Sequence, residues 1–138
     1  MVDPRSFQAR IHRLRECLAL LRTLAARPQE AVLSDPIAWS AIERNLEVAS
    51  ECMLDLGNQL VAECDAGAPQ DYKDIFRLLE KAGVLTVSER ARYEGWAGFR
   101  NVLVHLYLEV DRARVWEILQ NDLGDLEAFL VIAVRRLP

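Results

Sequence analysis

The sequence predicts an all-α fold, a bundle of five helices that forms a single domain over residues 1–138. Three observations support this prediction. Apolar residues recur in steps of three and four along most of the chain, which is the period of an amphipathic helix. Only 6 glycines and 5 prolines are present, which leaves little of the turn chemistry that hairpins need. Helix-capping residues stand where the apolar pattern is interrupted.

The first two predicted helices are long and are separated by a segment that contains two prolines. Pro28 ends the first helix, and Asp35 followed by Pro36 is typical of an N-cap and a first helical residue. Residues 67–69 (Gly-Ala-Pro) end the second helix. The apolar face of helix one comprises Phe7, Ile11, Leu14, Leu18, Leu21 and Ala25. The apolar face of helix two has the same spacing and comprises Ile42, Leu46, Ala49, Met53, Leu56 and Leu60.

The other three helices are shorter, and each begins at a capping residue. Asp71 can cap the third helix, which ends near Gly83. Thr86 and Glu89 are spaced as a capping box that opens the fourth. Asp111 can cap the fifth. The inner stripe of helix five comprises Val115, Leu119, Leu126, Leu130 and Leu137.

Charge is unevenly distributed along the chain. The 17 basic and 21 acidic residues give a net charge of −4, so the protein as a whole is not a basic clamp for nucleic acid. Residues 1–27, however, carry six arginines against two carboxylates. A solvated arginine-rich helix face is the favoured interpretation, and a local phosphate-binding stripe is the alternative.

The cysteines and the absence of long apolar runs bear on location. Cys17, Cys52 and Cys64 form no C-x-x-C pair and lie within apolar helical patterns, so buried reduced thiols are expected. No apolar run approaches the roughly 18–20 residues of a membrane span. The first residues do not resemble a signal peptide either. A cytoplasmic location without membrane association is therefore expected.

Several polar and aromatic residues are expected to have structural roles. His12 is expected on the surface. Packing roles are expected for Trp39, Tyr72, Tyr93, Trp96 and Trp116. Four carboxylates follow helical spacing in helix two, and a carboxylate metal site in a bundle would need Glu-x-x-His motifs that neither histidine satisfies. A solvated acidic face is therefore expected for Glu43, Glu47, Glu51 and Asp55.

The candidate functional segment is residues 100–107 (Arg-Asn-Val-Leu-Val-His-Leu-Tyr) in helix four. At about 100° per residue, one arc faces the predicted core. That arc comprises Phe99, Val102, Leu103, Leu106 and Val110. The polar residues outside it are Arg100, Asn101, His105 and Tyr107. Because the apolar Val104 and Leu108 lie between these polar residues, a second buried contact such as a homodimer interface is predicted.

An arginine and a histidine presented together suit the chemistry of phosphodiesters. A guanidinium binds phosphate bidentately and stays charged at every working pH. An imidazole titrates near neutrality and can take or give a proton. RNA carries its own nucleophile in the 2′-hydroxyl, so a base and a cation can suffice without a metal.

The pattern Arg-Asn-x-x-x-His-x-Tyr at residues 100–107 resembles the signature of the HepT family, minimal ribonuclease toxins within the all-helical HEPN group. The similarity extends over nearly the whole chain and is weakest before residue 36. Residues 41–44, residues 69–83 and the run 103–111 all resemble the family. So do Asp55 and Asn58.

The resemblance implies roles for the residues of the motif. Arg100 and His105 would form the catalytic pair, with Asn101 as their polar neighbour. Family members are homodimers in which the motif helices meet, and they cut RNA, with tRNA as the implied target. Their partner is a nucleotidyltransferase antitoxin of the MntA type, which transfers AMP to the motif tyrosine, here Tyr107. ATP and Mg²⁺ are used by that antitoxin, so no cofactor or metal is expected in this chain.

Two alternatives stay open from the sequence. The chain can be a catalytically silent HEPN-like dimer that binds a nucleotidyltransferase or a nucleotide. It can also be a purely structural dimerisation bundle in which Arg100 and His105 make interface hydrogen bonds only.

Overall fold

The computed structural model describes residues 3–104 and 111–136, and every described element is helical. Its helices are α1 (Pro4–Ala25), α2 (Gln29–Leu33), α3 (Pro36–Glu63), α4 (Tyr72–Lys81), α5 (Val87–Val104), α6 (Arg112–Asn121) and α7 (Leu123–Arg135). The all-α prediction is confirmed. The described part of the chain contains seven helices where five were predicted.

The two additional helices have local causes. The five residues of α2 fit between Pro28 and the cap of α3, where only loop was expected. The predicted fifth helix divides into α6 and α7 at Asp122, which has φ −113° and ψ 0°. Asp122 and the nearby Gly124 are poor helix formers, so they favour a break at this point. Of its predicted inner stripe, Val115, Leu119 and Leu126 are buried and Leu130 is half-buried, while Leu137 lies outside the described residues.

The predicted helix starts are confirmed by their hydrogen bonds. The Asp35 carboxylate accepts from the amides of Ile37 and Ala38, and Asp71 accepts from the amide of Asp74 at 2.7 Å. The Thr86 hydroxyl oxygen accepts from the Glu89 amide at 3.1 Å, while the Glu89 carboxylate accepts from the Thr86 amide at 2.8 Å. This is the reciprocal capping box that the sequence predicts.

Helix α3 lies at the centre of the bundle and packs against α1, α2, α4, α5 and α7. Next to it is an aromatic cluster of Phe76, Tyr93 and Phe129, whose ring centroids are 5.1–6.2 Å apart. Gly57 of α3 permits this close packing, because a Cβ there would lie only 2.9 Å from Cγ2 of Ile75. Ion pairs on the outside connect the helices further, such as Arg22 of α1 with Glu127 of α7 at 2.6 Å.

Most of the predicted structural roles are confirmed by burial. Trp39, Tyr93, Trp96 and Trp116 are buried, as are Cys17 and Cys52, while Cys64 is half-buried and His12 is exposed. Tyr72 contradicts its predicted packing role, because it is 42% exposed at the first position of α4.

The predicted core arc of α5 is correct only in part. Leu103 is buried and Phe99 is partly buried against the core, as predicted, but Val102 is 54% exposed. The buried residues of α5 are Tyr93, Trp96, Ala97 and Leu103. At about 100° per residue, Arg100 falls inside the arc that these residues define, and Val102 falls on the opposite side. Leu106 and Val110, which the same prediction included, lie outside the described residues.

Candidate functional site

Arg100 occupies an unusual place for a charged side chain. It lies on the core-facing side of α5, and its side chain is 20% exposed. Taking a guanidinium this far out of water is costly unless it has partners for its charge and its N–H groups. The surroundings of Arg100 supply such partners from three helices.

Glu51 of α3 is the principal partner of Arg100. Nε of Arg100 donates a hydrogen bond to Oε1 of Glu51, whose side chain is 34% exposed. Nη1 of Arg100 donates to Oδ1 of Asn101 at 3.2 Å. The guanidinium carbon also lies 5.0 Å from the centroid of the Tyr72 ring, within the range of a cation–π contact. Glu51, Asn101 and Tyr72 therefore fix the orientation of the guanidinium.

The next turn of α3 carries a second ion pair. Asp55 accepts from Nε of Arg10 on α1 at 3.0 Å, and Nη1 of Arg10 donates to the carbonyl oxygen of Ser6 at 3.2 Å. The expectation of a solvated acidic face holds for Asp55, whose side chain is 50% exposed, but is wrong in part for Glu51, which is half-buried. Both carboxylates bind arginines from neighbouring helices.

Two open cavities adjoin Tyr72. The larger, of about 410 Å³, lies between α3 and the start of α4. Its lining includes Leu54, Asp55, Asn58, Pro69, Tyr72 and Ile75. The smaller, of about 250 Å³, is lined by Asp71, Tyr72, Lys73, Ala97 and Asn101. Tyr72 borders both cavities, and Arg100 contacts its ring.

The structure places only part of the predicted motif. Arg100 and Asn101 are adjacent, and Nη1 of Arg100 donates to Oδ1 of Asn101. His105, Tyr107 and Leu108 lie outside the described residues. Val104, the last described residue of α5, is 37% exposed.

Glu51 and Tyr72 are the site residues that the sequence analysis assigned to other roles. The orientation of α5 is the signal that could have found Glu51. Once the buried side of the helix is known, Arg100 needs a carboxylate from the helix that faces it. Tyr72 follows the capping Asp71, so its ring begins a helix at the surface, where an aromatic side chain has no core to fill.

The two buried cysteines are not activated nucleophiles. Burial raises the pKa of Cys52 to about 11, and burial also raises the pKa of Cys17. Both thiols are therefore protonated at neutral pH, whereas the thiolate is the reactive form.

The described residues include neither a candidate metal site nor a candidate membrane-spanning helix. They contain no group of three or more His, Cys, Asp or Glu side chains placed to hold a metal ion. Within the same ranges, no helix has the length and apolar character needed to cross a membrane.

Comparison with known proteins identifies relatives by sequence. The family model described as ribonuclease HepT-like matches residues 14–132. The mRNA nuclease HepT of Shewanella oneidensis is 30% identical over 86 residues, which cover 62% of this chain and 65% of that protein. The chain thus spans slightly less than two thirds of that relative. A putative RNase of Archaeoglobus fulgidus is 27% identical over 106 residues, 77% of this chain and 76% of that protein.

Solved structures share the fold over nearly the whole chain. A tri-AMPylated Shewanella oneidensis HEPN toxin in complex with MNT antitoxin has a TM-score of 0.85 at 23% identity, covering 99% of this chain and 100% of that chain. YutE, a cytosolic protein of unknown function from Bacillus subtilis, has a TM-score of 0.84 at 23% identity, with 99% and 91% covered. The fold is therefore that of a HEPN toxin.

Proposed function

The chain belongs to the ribonuclease HepT-like family, and from this premise we propose that it is the RNA-cleaving toxin of a toxin–antitoxin pair. The observation that carries the proposal is the Arg100 guanidinium, held on the core-facing side of α5 by Glu51 and Asn101. A fixed and permanently charged donor is what a phosphodiester-cleaving site needs.

The proposed reaction uses the 2′-hydroxyl of RNA as the nucleophile. His105 takes the proton of that hydroxyl, and the 2′-oxygen attacks the adjacent phosphorus. The bond from phosphorus to the 5′-oxygen breaks, and the leaving oxygen takes up a proton. Arg100 stabilises the negative charge that builds on the phosphoryl oxygens, and Asn101 orients Arg100 by accepting one of its hydrogen bonds. Since Arg100 supplies the charge and His105 the proton transfer, we propose that cleavage needs no metal.

Cleavage assays test this mechanism. Arg100→Ala and His105→Ala should each abolish cleavage, and the unsubstituted protein should retain its activity in EDTA. Arg90→Ala is a matched control, because Arg90 is also half-buried on α5 and donates to Glu80 at 2.8 Å. It lies ten residues from Arg100, about 15 Å along the helix. Full activity of His105→Ala, or loss of activity in EDTA, would refute the mechanism.

The class of RNA is a separate part of the proposal. We propose tRNA as the substrate from the family resemblance, whereas the Shewanella relative is described as an mRNA nuclease. Parallel incubation with tRNA and with an unstructured mRNA fragment, followed by mapping of the cleaved ends, decides between them. Preferential cleavage of the mRNA fragment would refute the tRNA assignment.

We also propose a homodimer formed through α5. The exposed side of this helix is lined by small or apolar residues, which suits close contact between helices: Ala91, Gly95, Gly98 and Val102. The two motif segments would then meet in a shared cleft. Val102→Glu should dissociate the dimer, and Val131→Glu, a similarly exposed valine on α7, should not. Light scattering that gives a monomer for the unsubstituted protein at micromolar concentration would refute this part.

Control by AMP transfer completes the proposal. The structural neighbours include a tri-AMPylated toxin in complex with its MNT antitoxin. We propose that a nucleotidyltransferase of the MntA type transfers AMP from ATP to Tyr107, with ATP and Mg²⁺ bound by that partner. The added phosphate would compete for Arg100, and the nucleoside would block the cleft. Tyr107→Phe should stay active after incubation with antitoxin and ATP, and mass spectrometry should find AMP on Tyr107 only in the parent.

A further inference from the structure

We propose that the larger cavity beside Tyr72 is a nucleobase subsite, in which one unpaired base of the RNA stacks on the Tyr72 ring and pairs with the Asn58 amide. This inference rests on the proposed function, since it takes RNA as the ligand. It adds a base-recognition site to a mechanism that otherwise contacts only the phosphate and the 2′-hydroxyl.

The exposure of Tyr72 is the first observation. Tyr72 is 42% exposed, although aromatic residues usually bury most of their surface. It does not fill the core. Tyr72 is the first residue of α4, directly after the capping Asp71, and the Arg100 guanidinium packs against its ring. An ordered, exposed aromatic ring is the usual platform on which proteins stack single-stranded bases.

The cavity itself is the second observation. The cavity has a volume of about 410 Å³ and is open to solvent. Its apolar lining comes from Leu54, Pro69 and Ile75. A nucleobase has apolar faces and a polar edge, so it fits a slot with an apolar wall and a polar rim.

The polar rim is the third observation. Asn58 lies on α3, is exposed and lines the cavity. Within the described ranges its amide makes no side-chain hydrogen bond, so its donor and its acceptor remain available to pair with the edge of a base. The charge of the neighbouring Asp55 is compensated by Arg10 at 3.0 Å.

The position of the cavity relative to Arg100 links base recognition to cleavage. The guanidinium carbon lies 5.0 Å from the centroid of the Tyr72 ring. Because Arg100 covers one face of this ring, a base would stack on the opposite face, and an adjacent phosphate of the same strand should then lie near Arg100. Only an unpaired base can enter, which predicts a preference for single-stranded segments.

Fluorescent RNA tests the subsite without relying on cleavage. A short single-stranded RNA that carries 2-aminopurine is titrated into the full-length His105→Ala protein at fixed salt, and quenching and affinity are recorded. Tyr72→Leu should abolish the quenching and weaken binding about 5- to 150-fold. Tyr72→Phe retains the ring and should bind like its parent.

Asn58→Ala separates base recognition from effects on Arg100, which Asn58 does not contact. This change should preserve the quenching of the RNA that carries 2-aminopurine. When each of the four natural bases replaces 2-aminopurine in turn, it should alter the order of their binding affinities. Asn121→Ala, which removes an exposed amide at the end of α6, is the matched control and should change nothing. Thermal unfolding by circular dichroism confirms that each variant is folded.

The outcomes distinguish the subsite from the proposed function. If Tyr72→Leu keeps both affinity and quenching, or if Asn58→Ala leaves base preference unchanged, the subsite is refuted while the ribonuclease proposal stands. If AMP alone displaces the RNA at comparable concentration, the cavity is a mononucleotide site and its assignment to RNA is refuted. If the parent binds no RNA, the ribonuclease proposal and the subsite both fail.

Discussion

Replacing Glu51 by alanine removes the carboxylate that binds Nε of Arg100 and leaves the guanidinium on the core-facing side of α5 with fewer partners. A hydrogen bond to a charged group contributes about 1.5–3 kcal/mol to stability. Because the Glu51 side chain is 34% exposed, solvent screening reduces this to about 1 kcal/mol. For a chain of this length, that loss corresponds to a decrease in Tm of about 4 °C.

The same change should affect catalysis more than stability, and the main effect should be a lower kcat. Misplacing a catalytic group by about 1 Å can slow a reaction on the order of 100-fold, so Glu51→Ala should lower kcat about 10- to 100-fold. KM should fall rather than rise, because a negative charge near the substrate phosphate is removed. Two unit charges 4 Å apart in water interact by about 1 kcal/mol, so the decrease in KM should be less than about fivefold.

Steady-state cleavage of a labelled RNA, together with thermal unfolding, measures both effects. Glu51→Gln keeps an oxygen acceptor for Arg100 and should recover part of the lost kcat. Glu47→Ala is the control, since Glu47 lies one turn earlier and pairs with Arg44 at 3.6 Å instead. A kcat for Glu51→Ala within twofold of the parent would refute the positioning role of Glu51.

The remaining predictions concern the stability of the fold. Gly57→Ala should lower the free energy of unfolding by about 1–3 kcal/mol, because its Cβ would lie 2.9 Å from Cγ2 of Ile75. Gly124→Ala, whose Cβ would meet nothing within 4 Å, should raise it by about 0.5–1 kcal/mol; urea denaturation that shifts both variants the same way would contradict this packing. Tyr93→Phe should be neutral or stabilising, because the buried Tyr93 hydroxyl has no hydrogen-bond partner among the described residues. Burial raises the pKa of Tyr93 from 10.0 to about 12, so the unfolded state releases this proton first and stability should fall as pH rises from 10 to 12. In denaturation at several pH values, that loss should be smaller in Tyr93→Phe.

The helix starts were predictable from sequence because capping is a local interaction. The capping Asp35 and Asp71 contact amides only two or three residues ahead. Such contacts depend on residue type and spacing alone, and both are visible in the sequence. The division of the fifth helix at Asp122 was missed because one break among otherwise helical apolar spacing leaves the periodicity almost unchanged.

The orientation of α5 was not predictable in the same way. Phe99, Val102 and Leu103 form a consistent apolar arc, and so do Tyr93, Trp96 and Ala97 one or two turns earlier. Helical periodicity shows that both arcs are apolar, but it does not show which of them faces the rest of the bundle. The structure buries the second arc together with Leu103, and Arg100 is half-buried beside them, where Glu51 of α3 compensates its charge. This compensation joins residues 49 positions apart, so no local pattern contains it.

The two ion pairs on α3 have a consequence for how an RNA strand would lie in the proposed site. Glu51 and Asp55 stand one turn apart on α3, and each neutralises an arginine from a different flanking helix, Arg100 of α5 and Arg10 of α1. Phosphates are repelled by the carboxylates on α3 and attracted to the guanidinium groups on either side. Bases carry no charge and can approach Asn58 on α3 and Tyr72 at the start of α4. The backbone of a bound strand should therefore lie on the Arg100 side of α3, with its bases turned toward Asn58. In that orientation Arg100 meets the phosphate next to the base that Tyr72 holds.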